Sequence, residues 1–205
     1  MREDGLSLWM GNVSVRGDFS RLKGRISERN LSSEAIVRAA RGRGAAEGLC
    51  TDAAAGLGED GFLLAAAGFS VILYERNPVI ASLLEDALKR AAMDRALSGT
   101  VGRMSLRFGD SVPHLIDRTD PSDLIYLDPM FPQRSKTGAV KKKLQLIQML
   151  EEPESEEERL LSAAFAASPK KIVVKRPAKG PHLAGREPSY VIPGKSVRYD
   201  VYLPE

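Results

Sequence analysis

Four acidic residues each follow a short apolar stretch of the sequence, directly or within two residues: Asp52, Glu75, Asp110 and Asp128. Apolar stretches of this length predict buried strands. The carboxyl ends of parallel strands meet at one edge of a sheet, where α/β proteins bind their ligands. Glu75, at the end of the second such strand, suits a ribose, because a carboxylate accepts hydrogen bonds from both hydroxyl groups. The sequence therefore predicts a site for a nucleoside-containing cofactor.

A glycine turn follows the first of these acids. Gly56 and Gly58 predict a tight turn that opens a helix at Glu59, and with Gly61 they satisfy the G-x-G-x-x-G spacing of a dinucleotide site. Asp52 argues against that ligand, because its carboxylate would repel a pyrophosphate and attract a cation such as S-adenosylmethionine. The pattern D-x-x-x-G-x-G resembles the first motif of class I methyltransferases, which implies that Asp52, Gly56 and Gly58 bind this cofactor. The alternative is a glycine turn without a ligand.

The segment Asp128–Pro132 reads D-P-M-F-P and predicts a substrate site. It resembles the D/N-P-P-Y/F motif of methyltransferases that modify exocyclic amino groups of nucleobases. Such an amine is a poor nucleophile, and Asp128 with a backbone carbonyl near Pro129 would accept its protons and aim its lone pair. Phe131 would stack on the base, which is worth about 1–3 kcal/mol. The alternative is a proline-rich turn, and Met130 departs from the motif by replacing its second proline.

Positively charged residues follow this segment and recur after the fifth predicted strand, which begins at Ile172. Cations beside a base pocket suit a phosphate backbone. The residues expected to contact RNA are Arg134, Lys136, Lys141, Lys142, Lys175 and Arg176. A solvated charged face is the alternative.

The predicted elements alternate between strands and helices after a short N-terminal region. Two short strands or a hairpin come first, followed by a basic loop. A helix is predicted from Asn30 to Arg41, with Ser32 or Ser33 as its N-cap. Five strands separated by helices and closed by a C-terminal antiparallel hairpin predict an α/β fold. We expect a doubly wound, mostly parallel, Rossmann-like sheet of the seven-stranded methyltransferase type.

Length and composition fit one α/β domain with a short extension. The chain has 205 residues, of which 43% are hydrophobic and 28% charged, as in globular proteins. We expect residues 1–30 to form a short N-terminal β and basic segment and residues 31–205 to form the methyltransferase domain. The net charge of +3 permits a nucleic-acid partner without requiring one.

The sequence also predicts a cytoplasmic protein without a metal. No apolar stretch approaches the ~20 residues of a membrane span, and no signal peptide is visible. The one cysteine, Cys50, lies in a predicted buried strand, which is typical of a reducing compartment. Only His114 and His182 could join it as zinc ligands, so no zinc site is expected.

Several segments together resemble one bacterial family, the guanine-N2 methyltransferases of small-subunit (16S) rRNA. These segments are 52–60, 74–78, 126–132, 140–142 and 173–177, and the resemblance extends from about Arg25 to Tyr202. It implies S-adenosylmethionine as the cofactor, a guanosine near the 3′ end of 16S rRNA as the acceptor, and 16S rRNA or the small ribosomal subunit as the partner. The cofactor-site residues that it implies are Glu59, Asp60, Glu75, Arg76, Asp110, Ser111 and Asp128.

The resemblance also implies individual roles. Glu75 would bind the ribose, Asp110 or Ser111 the adenine, and Asp128 the amine. Met130 is normal in this family. The chain reads D-A-A-A at 52–55 where the family has D-A-T-A, which removes a hydroxyl group from the cofactor loop, and it is expected to lack part of the family's N-terminal region.

Three other functions stay open at the level of the sequence. The first is an amino-methyltransferase for another RNA or for DNA. The second is an NAD-binding oxidoreductase, although no obvious acid or base for hydride transfer supports it. The third is a non-catalytic cofactor- or RNA-binding protein on the same fold. The oligomeric state does not follow from the sequence.

Overall fold

The computed structural model describes residues 5–42, 47–129 and 157–204. An antiparallel hairpin comes first, formed by β1 (Leu8–Met10) and β2 (Val13–Val15), which confirms the predicted hairpin. In the described ranges, seven further strands form one sheet. They are β3 (Leu49–Asp52), β4 (Ser70–Glu75), β5 (Met104–Phe108), β6 (Leu124–Leu127), β7 (Lys171–Pro177), β8 (Tyr190–Ile192) and β9 (Val197–Tyr202).

The helices of these ranges flank the sheet. They are α1 (Glu28–Ser33), α2 (Ala35–Arg41), α3 (Glu59–Ala66), α4 (Pro78–Ala92), α5 (Ser98–Val101), α6 (Ser111–Ile116) and α7 (Glu157–Ala166). Short 3₁₀ turns lie at Phe19–Leu22 and Leu183–Gly185. In this described part of the chain, no helix is both long and apolar enough to cross a bilayer.

The strand order across the sheet is β5-β4-β3-β6-β7-β9-β8. The five strands from β3 to β7 are parallel, whereas β9 runs antiparallel to both β7 and β8. The chain builds outwards from β3 to β5 and then returns to place β6 on the other side of β3. A reversal of this kind opens a crevice at the carboxyl ends of the strands. The predicted doubly wound, mostly parallel sheet with its C-terminal hairpin is confirmed.

Two apolar layers cover the sheet. On one face, α3 and α4 bury side chains such as Phe62 and Leu84 against Leu73 of β4. On the other face, α6 and α7 bury Leu115 and Leu161 against β6 and β7. Each fully buried side chain of this size contributes about 1.5–3 kcal/mol. Both faces of the parallel strands are therefore covered, and the ligand-binding edge is the end where the strands stop.

The predicted helix from Asn30 to Arg41 is wrong in one respect, because the structure divides it into α1 and α2. Glu34 joins them in an extended conformation, with φ −62° and ψ 126°. Its carboxylate accepts two hydrogen bonds of 2.7 Å from the guanidinium of Arg25. Neither predicted serine caps a helix, since the hydroxyl groups of both donate to backbone carbonyls three residues earlier in α1. A tertiary ion pair and local serine bonds therefore interrupt the apolar helical pattern.

Helix α4 begins at a local sequence signal, an asparagine followed by a proline. The side chain of Asn77 accepts hydrogen bonds from the backbone N–H groups of Val79 at 2.9 Å and Ile80 at 3.3 Å. Pro78 occupies the first helical position, where its missing N–H costs nothing. This cap fixes the direction in which the chain leaves β4, and so the position of Glu75.

Gly61 allows α3 to lie close against the sheet. A Cβ at this position would lie 2.5 Å from Cδ2 of Leu73 and 3.1 Å from Oδ2 of Asp52. The close approach is what the third glycine of a G-x-G-x-x-G turn permits. It brings the first turn of α3 next to the end of β3.

Gly61→Ala should destabilise the protein by roughly 1–3 kcal/mol, because the added methyl group overpacks the contact between α3 and β4. Gly99→Ala is the matched control, since a Cβ at Gly99 meets nothing within 4 Å and the residue lies in helix α5. The control should be neutral or slightly stabilising. Urea unfolding measures both variants, and equal transition midpoints would contradict the proposed packing role of Gly61.

Candidate active site

The strand-end carboxylates come together as predicted at one edge of the sheet. Asp52 ends β3, Glu75 ends β4, and Asp128 directly follows β6. Because β6 and β4 are both direct neighbours of β3, these acids surround the crevice at the point where the strand order reverses. Asp110 follows the edge strand β5 and lies further out.

The glycine turn after β3 is held against Glu75. Gly56 and Gly58 have φ values of +55° and +75°, a left-handed conformation that favours glycine. The backbone N–H of Gly56 donates to Oε2 of Glu75 at 2.9 Å, and that of Asn77 donates to Oε1 at 2.7 Å. A Cβ built on Gly56 would meet nothing within 4 Å, so this turn leaves open space beside its backbone. The turn has the form of a cofactor cradle.

Burial keeps two of these acids from ionising readily. Desolvation raises the pKa of Glu75, and the N–H groups of Asn77 and Gly56 partly offset that rise. Desolvation and the negative charge of Asp60 raise the pKa of Asp52 well above its usual value. Asp52 is only 1% exposed, and it lies beneath the turn. Any contribution it makes to cofactor binding therefore passes through the turn.

A hydrogen-bonded cluster of four side chains, here called the lysine cluster, lies beside the turn. Its members are Asp60, Tyr126, Asp128 and Lys175. The Nζ of Lys175 donates to Oδ2 of Asp60 at 2.6 Å and to Oδ2 of Asp128 at 2.8 Å. The hydroxyl of Tyr126 donates to the same oxygen of Asp60 at 2.6 Å. In the described part of the chain, Oδ1 of Asp128 accepts no hydrogen bond.

The charges of the cluster shift one another's ionisation. Desolvation raises the pKa of Asp128 to about 6, against the attraction of Lys175. Desolvation alone would lower the pKa of Lys175, but Asp60 and Asp128 outweigh it and hold that pKa above its usual value. Desolvation also raises the pKa of Tyr126, so its hydroxyl stays a donor at neutral pH. The cluster thus presents a carboxylate at neutral pH that takes up a proton in mildly acidic solution.

The residues predicted to hold adenine lie at the start of α6. Asp110 caps this helix by accepting from the N–H of Val112 at 3.0 Å, and it also pairs with Arg159 at 3.1 Å. The hydroxyl of Ser111 is buried and donates to the carbonyl of Ala53 at 2.9 Å. These bonds tie α6 to the segment after β3. The adenine contacts of Asp110 or Ser111 stay predictions, as does the role of the exposed Arg76.

Lys175 and Arg176 both have partners within the protein, and their predicted contact with RNA stays a prediction. Arg176 is 1% exposed, and its Nε donates to the carbonyl of Pro181 at 2.8 Å while Nη1 pairs with Glu157 at 3.4 Å. The ammonium group of Lys175 donates to the carboxylates of Asp60 and Asp128. Side chains of β7 alternate between the two covered faces of the sheet, so Arg176 is buried on one face while Lys175 is only partly buried on the other.

Other predicted site residues lie outside the described residues: Phe131, Arg134, Lys136, Lys141 and Lys142. Pro129 is described and follows Asp128 directly. In the described part of the chain, no group of three potential metal-ligating side chains lies together.

The lysine cluster was missed by sequence reasoning, although a signal for it exists. Leu127 pairs with Val174 in the parallel register of β6 and β7, so the next residue pair is Asp128 and Lys175. Tyr126 lies two residues before Asp128 and shares its face of the sheet. The pair of Asp128 and Lys175 follows from the register of β6 and β7. That register can be used only once the two strands are known to be neighbours.

Comparison with known proteins decides the family. The family model described as a SAM-dependent methyltransferase matches residues 9–204. The chain belongs to this methyltransferase family. A relative from Thioalkalivibrio sulfidiphilus, named ribosomal RNA small subunit methyltransferase J, is 43% identical over 195 residues, which cover 94% of this chain and 76% of the relative.

Other relatives agree with this assignment. A protein of the same name from Neisseria meningitidis is 43% identical over 156 residues. Those residues cover 75% of this chain and only 62% of that relative. The crystal structure of a SAM-dependent methyltransferase from Neisseria gonorrhoeae is 33% identical, covers 98% of this chain and 80% of its own, and has a TM-score of 0.75. An rRNA methyltransferase from Streptomyces viridochromogenes, 14% identical with a TM-score of 0.55 over 86% of this chain and 85% of its own, shares the fold alone.

The site of this methyltransferase fits S-adenosylmethionine, which supplies an activated methyl group on a sulfonium sulfur. The open space beside Gly56 would hold part of the cofactor, and Glu75 keeps lone pairs for the ribose hydroxyls besides those that accept from Gly56 and Asn77. The negative charges of Asp60 and Asp128 beside the turn suit a cationic cofactor. The cofactor therefore agrees with the donor set at this edge.

Glu75→Gln should weaken binding of S-adenosylhomocysteine by about 10- to 100-fold, because hydrogen bonds to a charged group are worth roughly 1.5–3 kcal/mol. The amide NH₂ would also face one of the two N–H groups that now donate to the carboxylate. Glu85→Gln, on the exposed side of α4, is the control and should bind normally. Titration calorimetry checks this, and unchanged affinity in Glu75→Gln would remove this residue from the cofactor site.

Proposed function

We propose that this protein transfers a methyl group from S-adenosylmethionine to the N2 amine of a guanosine near the 3′ end of 16S rRNA. The observation that carries the proposal is the position of Asp128, which directly follows β6 beside the glycine turn; Lys175 donates to its Oδ2, and no described residue donates to its Oδ1. The names of the relatives support small-subunit rRNA as the substrate. The proposed substrate implies a cytoplasmic location.

Asp128 has two tasks in this reaction. The exocyclic amine of guanine shares its lone pair with the ring, so it must be oriented before it can attack. Oδ1 of Asp128 would accept one amine hydrogen and aim the nitrogen at the methyl group. As the nitrogen–carbon bond forms and the carbon–sulfur bond breaks, the amine must lose a proton, and a carboxylate with a pKa of about 6 is a competent acceptor near neutral pH.

Charge at the site favours the cationic methyl donor. Asp60 and Asp128 together exceed the single positive charge of Lys175 by one negative charge. The buried Asp52 adds little to this field, since its raised pKa favours the neutral acid. A site with an excess negative charge attracts the sulfonium group before transfer and releases the neutral thioether afterwards.

Transfer is direct, without an enzyme-bound methyl group. Cys50 is the one cysteine of the chain, and it is completely buried within β3. Burial raises the pKa of its thiol well above the usual value, so it does not supply the thiolate that a covalent route needs. The methyl group therefore passes in one displacement.

The RNA-facing part of the proposal rests on residues that follow Pro129 in the sequence. Phe131 is proposed to stack on the flipped base, and Arg134, Lys136, Lys141 and Lys142 to contact phosphates. The substrate is either free 16S rRNA or the small ribosomal subunit. Methylation of another nucleic acid is the outcome to consider if 16S rRNA is not modified.

Asp128→Asn should lower the rate of methyl transfer roughly 100- to 10,000-fold, because the amide cannot accept the amine proton. Asp117→Asn makes the same chemical change at an exposed position after α6 and should leave the rate unchanged. The measurement is incorporation of labelled methyl groups into 16S rRNA by purified protein. Full turnover by Asp128→Asn would exclude Asp128 from the chemistry.

The rate should fall as the pH drops below about 6, since protonated Asp128 no longer accepts the amine hydrogen.

The contribution of Asp128 to the free energy of unfolding should change in the opposite direction and fall as the pH rises. A carboxyl whose pKa is higher in the folded state binds protons more readily when folded, so its contribution to stability is lost as the pH rises through 6. A pH–rate profile combined with urea unfolding separates the effects. A constant rate between pH 7.5 and pH 5 would contradict the assignment.

A further inference from the structure

Lys175 is a partly buried cation that bridges two acids from different parts of the site. Its side chain is 25% exposed, and its Nζ lies 2.6 Å from Oδ2 of Asp60 and 2.8 Å from Oδ2 of Asp128. Asp60 lies in the first turn of α3, directly after the glycine turn, on the cofactor side. Asp128 follows β6 on the substrate side.

Lys175 donates to Oδ2 of Asp128 and leaves Oδ1 for the substrate. The bond to Oδ2 limits the directions in which Oδ1 can point. An ammonium group on Oδ2 restricts rotation of the carboxylate and so the positions that Oδ1 can take, provided that the ammonium group is itself held. Lys175 is held by Asp60, and Asp60 in turn accepts from the hydroxyl of Tyr126. Asp128 is thus connected through Lys175 to Asp60, in the first turn of the helix that follows the cofactor turn.

We propose that Lys175 is a positioning residue for methyl transfer, which holds Asp128 ionised and correctly turned by linking it to Asp60 beside the cofactor turn. The inference rests on the proposed function, because it gives the lysine a task in that reaction. It differs from the RNA contact that the sequence predicts for this lysine. Lys175 touches neither the reacting amine nor the methyl group in this account.

The reason for a cation at this point is the density of negative charge. Asp60 and Asp128 share one ammonium group in a desolvated place, and like charges disfavour each other's ionised form. The other titratable and charged groups that face Asp128 or Lys175, directly or through Asp60, are Asp52 of β3, Glu59 of α3, Tyr126 of β6, Arg176 of β7, Tyr199 of β9 and Arg25 before α1. Without Lys175, Asp128 would take up a proton near neutral pH and lose its capacity to accept one from the amine.

The first test is the titration of Asp128 in the protein without RNA, followed by carboxyl carbon NMR and assigned with Asp128→Asn. Lys175→Met should raise the midpoint by about 1–3 pH units, the usual effect of losing an adjacent opposite charge. Lys175→Arg should largely retain the normal midpoint, because it keeps the charge. Asp60→Asn should shift the midpoint downward, because it removes a like charge and leaves Lys175 to Asp128 alone.

Lys171→Met is the matched control from the same strand. The Nζ of Lys171 donates to the carbonyls of Ala39 at 3.2 Å and Ala40 at 2.8 Å, at the opposite end of β7. This variant loses a half-buried lysine without touching the lysine cluster. It should leave the titration of Asp128 unchanged even if it lowers stability.

The second test is the pH–rate profile with 16S rRNA. In Lys175→Met the acid limb should move upward by the same 1–3 pH units as the NMR midpoint. The affinity for S-adenosylhomocysteine should fall much less than the rate at pH 7. Lys175→Arg should recover part of the rate at that pH.

The outcomes separate this inference from the proposed function. If the wild-type protein does not methylate 16S rRNA but the Asp128 midpoint shifts as described, the substrate is wrong and the coupling of Lys175 to Asp128 holds. If methylation occurs and the midpoint is the same in Lys175→Met and Lys171→Met, Lys175 is merely structural and the inference is overturned. Equal midpoints in Asp60→Asn and wild type would also overturn it, even if Lys175→Met fails to fold.

Discussion

The parallel alignment of β3, β4 and β6 is the constraint on which the site depends. Parallel strands end at the same edge, so residues that are far apart in sequence, such as Asp52 and Asp128, arrive beside one another. Helices cover both faces of the sheet, and the edge is the one place where strand ends leave backbone groups and carboxylates for a ligand. The reversal of strand order between β3 and β6 opens that edge. Cofactor and substrate are therefore expected to meet there.

Charge balance decides what this edge does. Several acids converge on it, and most of them are desolvated, which by itself would keep them neutral. Lys175 counters this by attracting the negative charge of Asp60 and Asp128, whereas for the deeper Asp52 desolvation and the charge of Asp60 outweigh the attraction of Lys175 and its pKa stays raised. The result is a graded set of carboxyl groups. Asp52 is buried beneath the turn, and Asp128 is the carboxyl group that we propose exchanges a proton with the amine.

Local sequence patterns predicted the elements and most of the strand-end acids. Alternating and continuous apolar stretches defined the strands, and Asn77 with Pro78 defined the start of α4. Those features depend on neighbouring residues, so a single sequence carries them. The close approach at Gly61 was also contained in the glycine spacing.

The failures of sequence reasoning have a common cause. The partners of Arg176 and Lys175 were missed, because a sequence shows a charge without showing which partner lies across the next strand. The break at Glu34 follows from an ion pair with Arg25, which is invisible in helical periodicity. Each of these features is a tertiary contact; that of Lys175 with Asp128, for example, follows only once β6 and β7 are known to pair.

The central claim is best tested by mass spectrometry of 16S rRNA nucleosides from cells that lack this gene, with and without the restored protein. The account predicts that one N2-methylguanosine near the 3′ end disappears without the gene. It should return with the intact protein and not with Asp128→Asn. An unchanged set of methylated guanosines, or the loss of a methyl group from another base, would contradict the account.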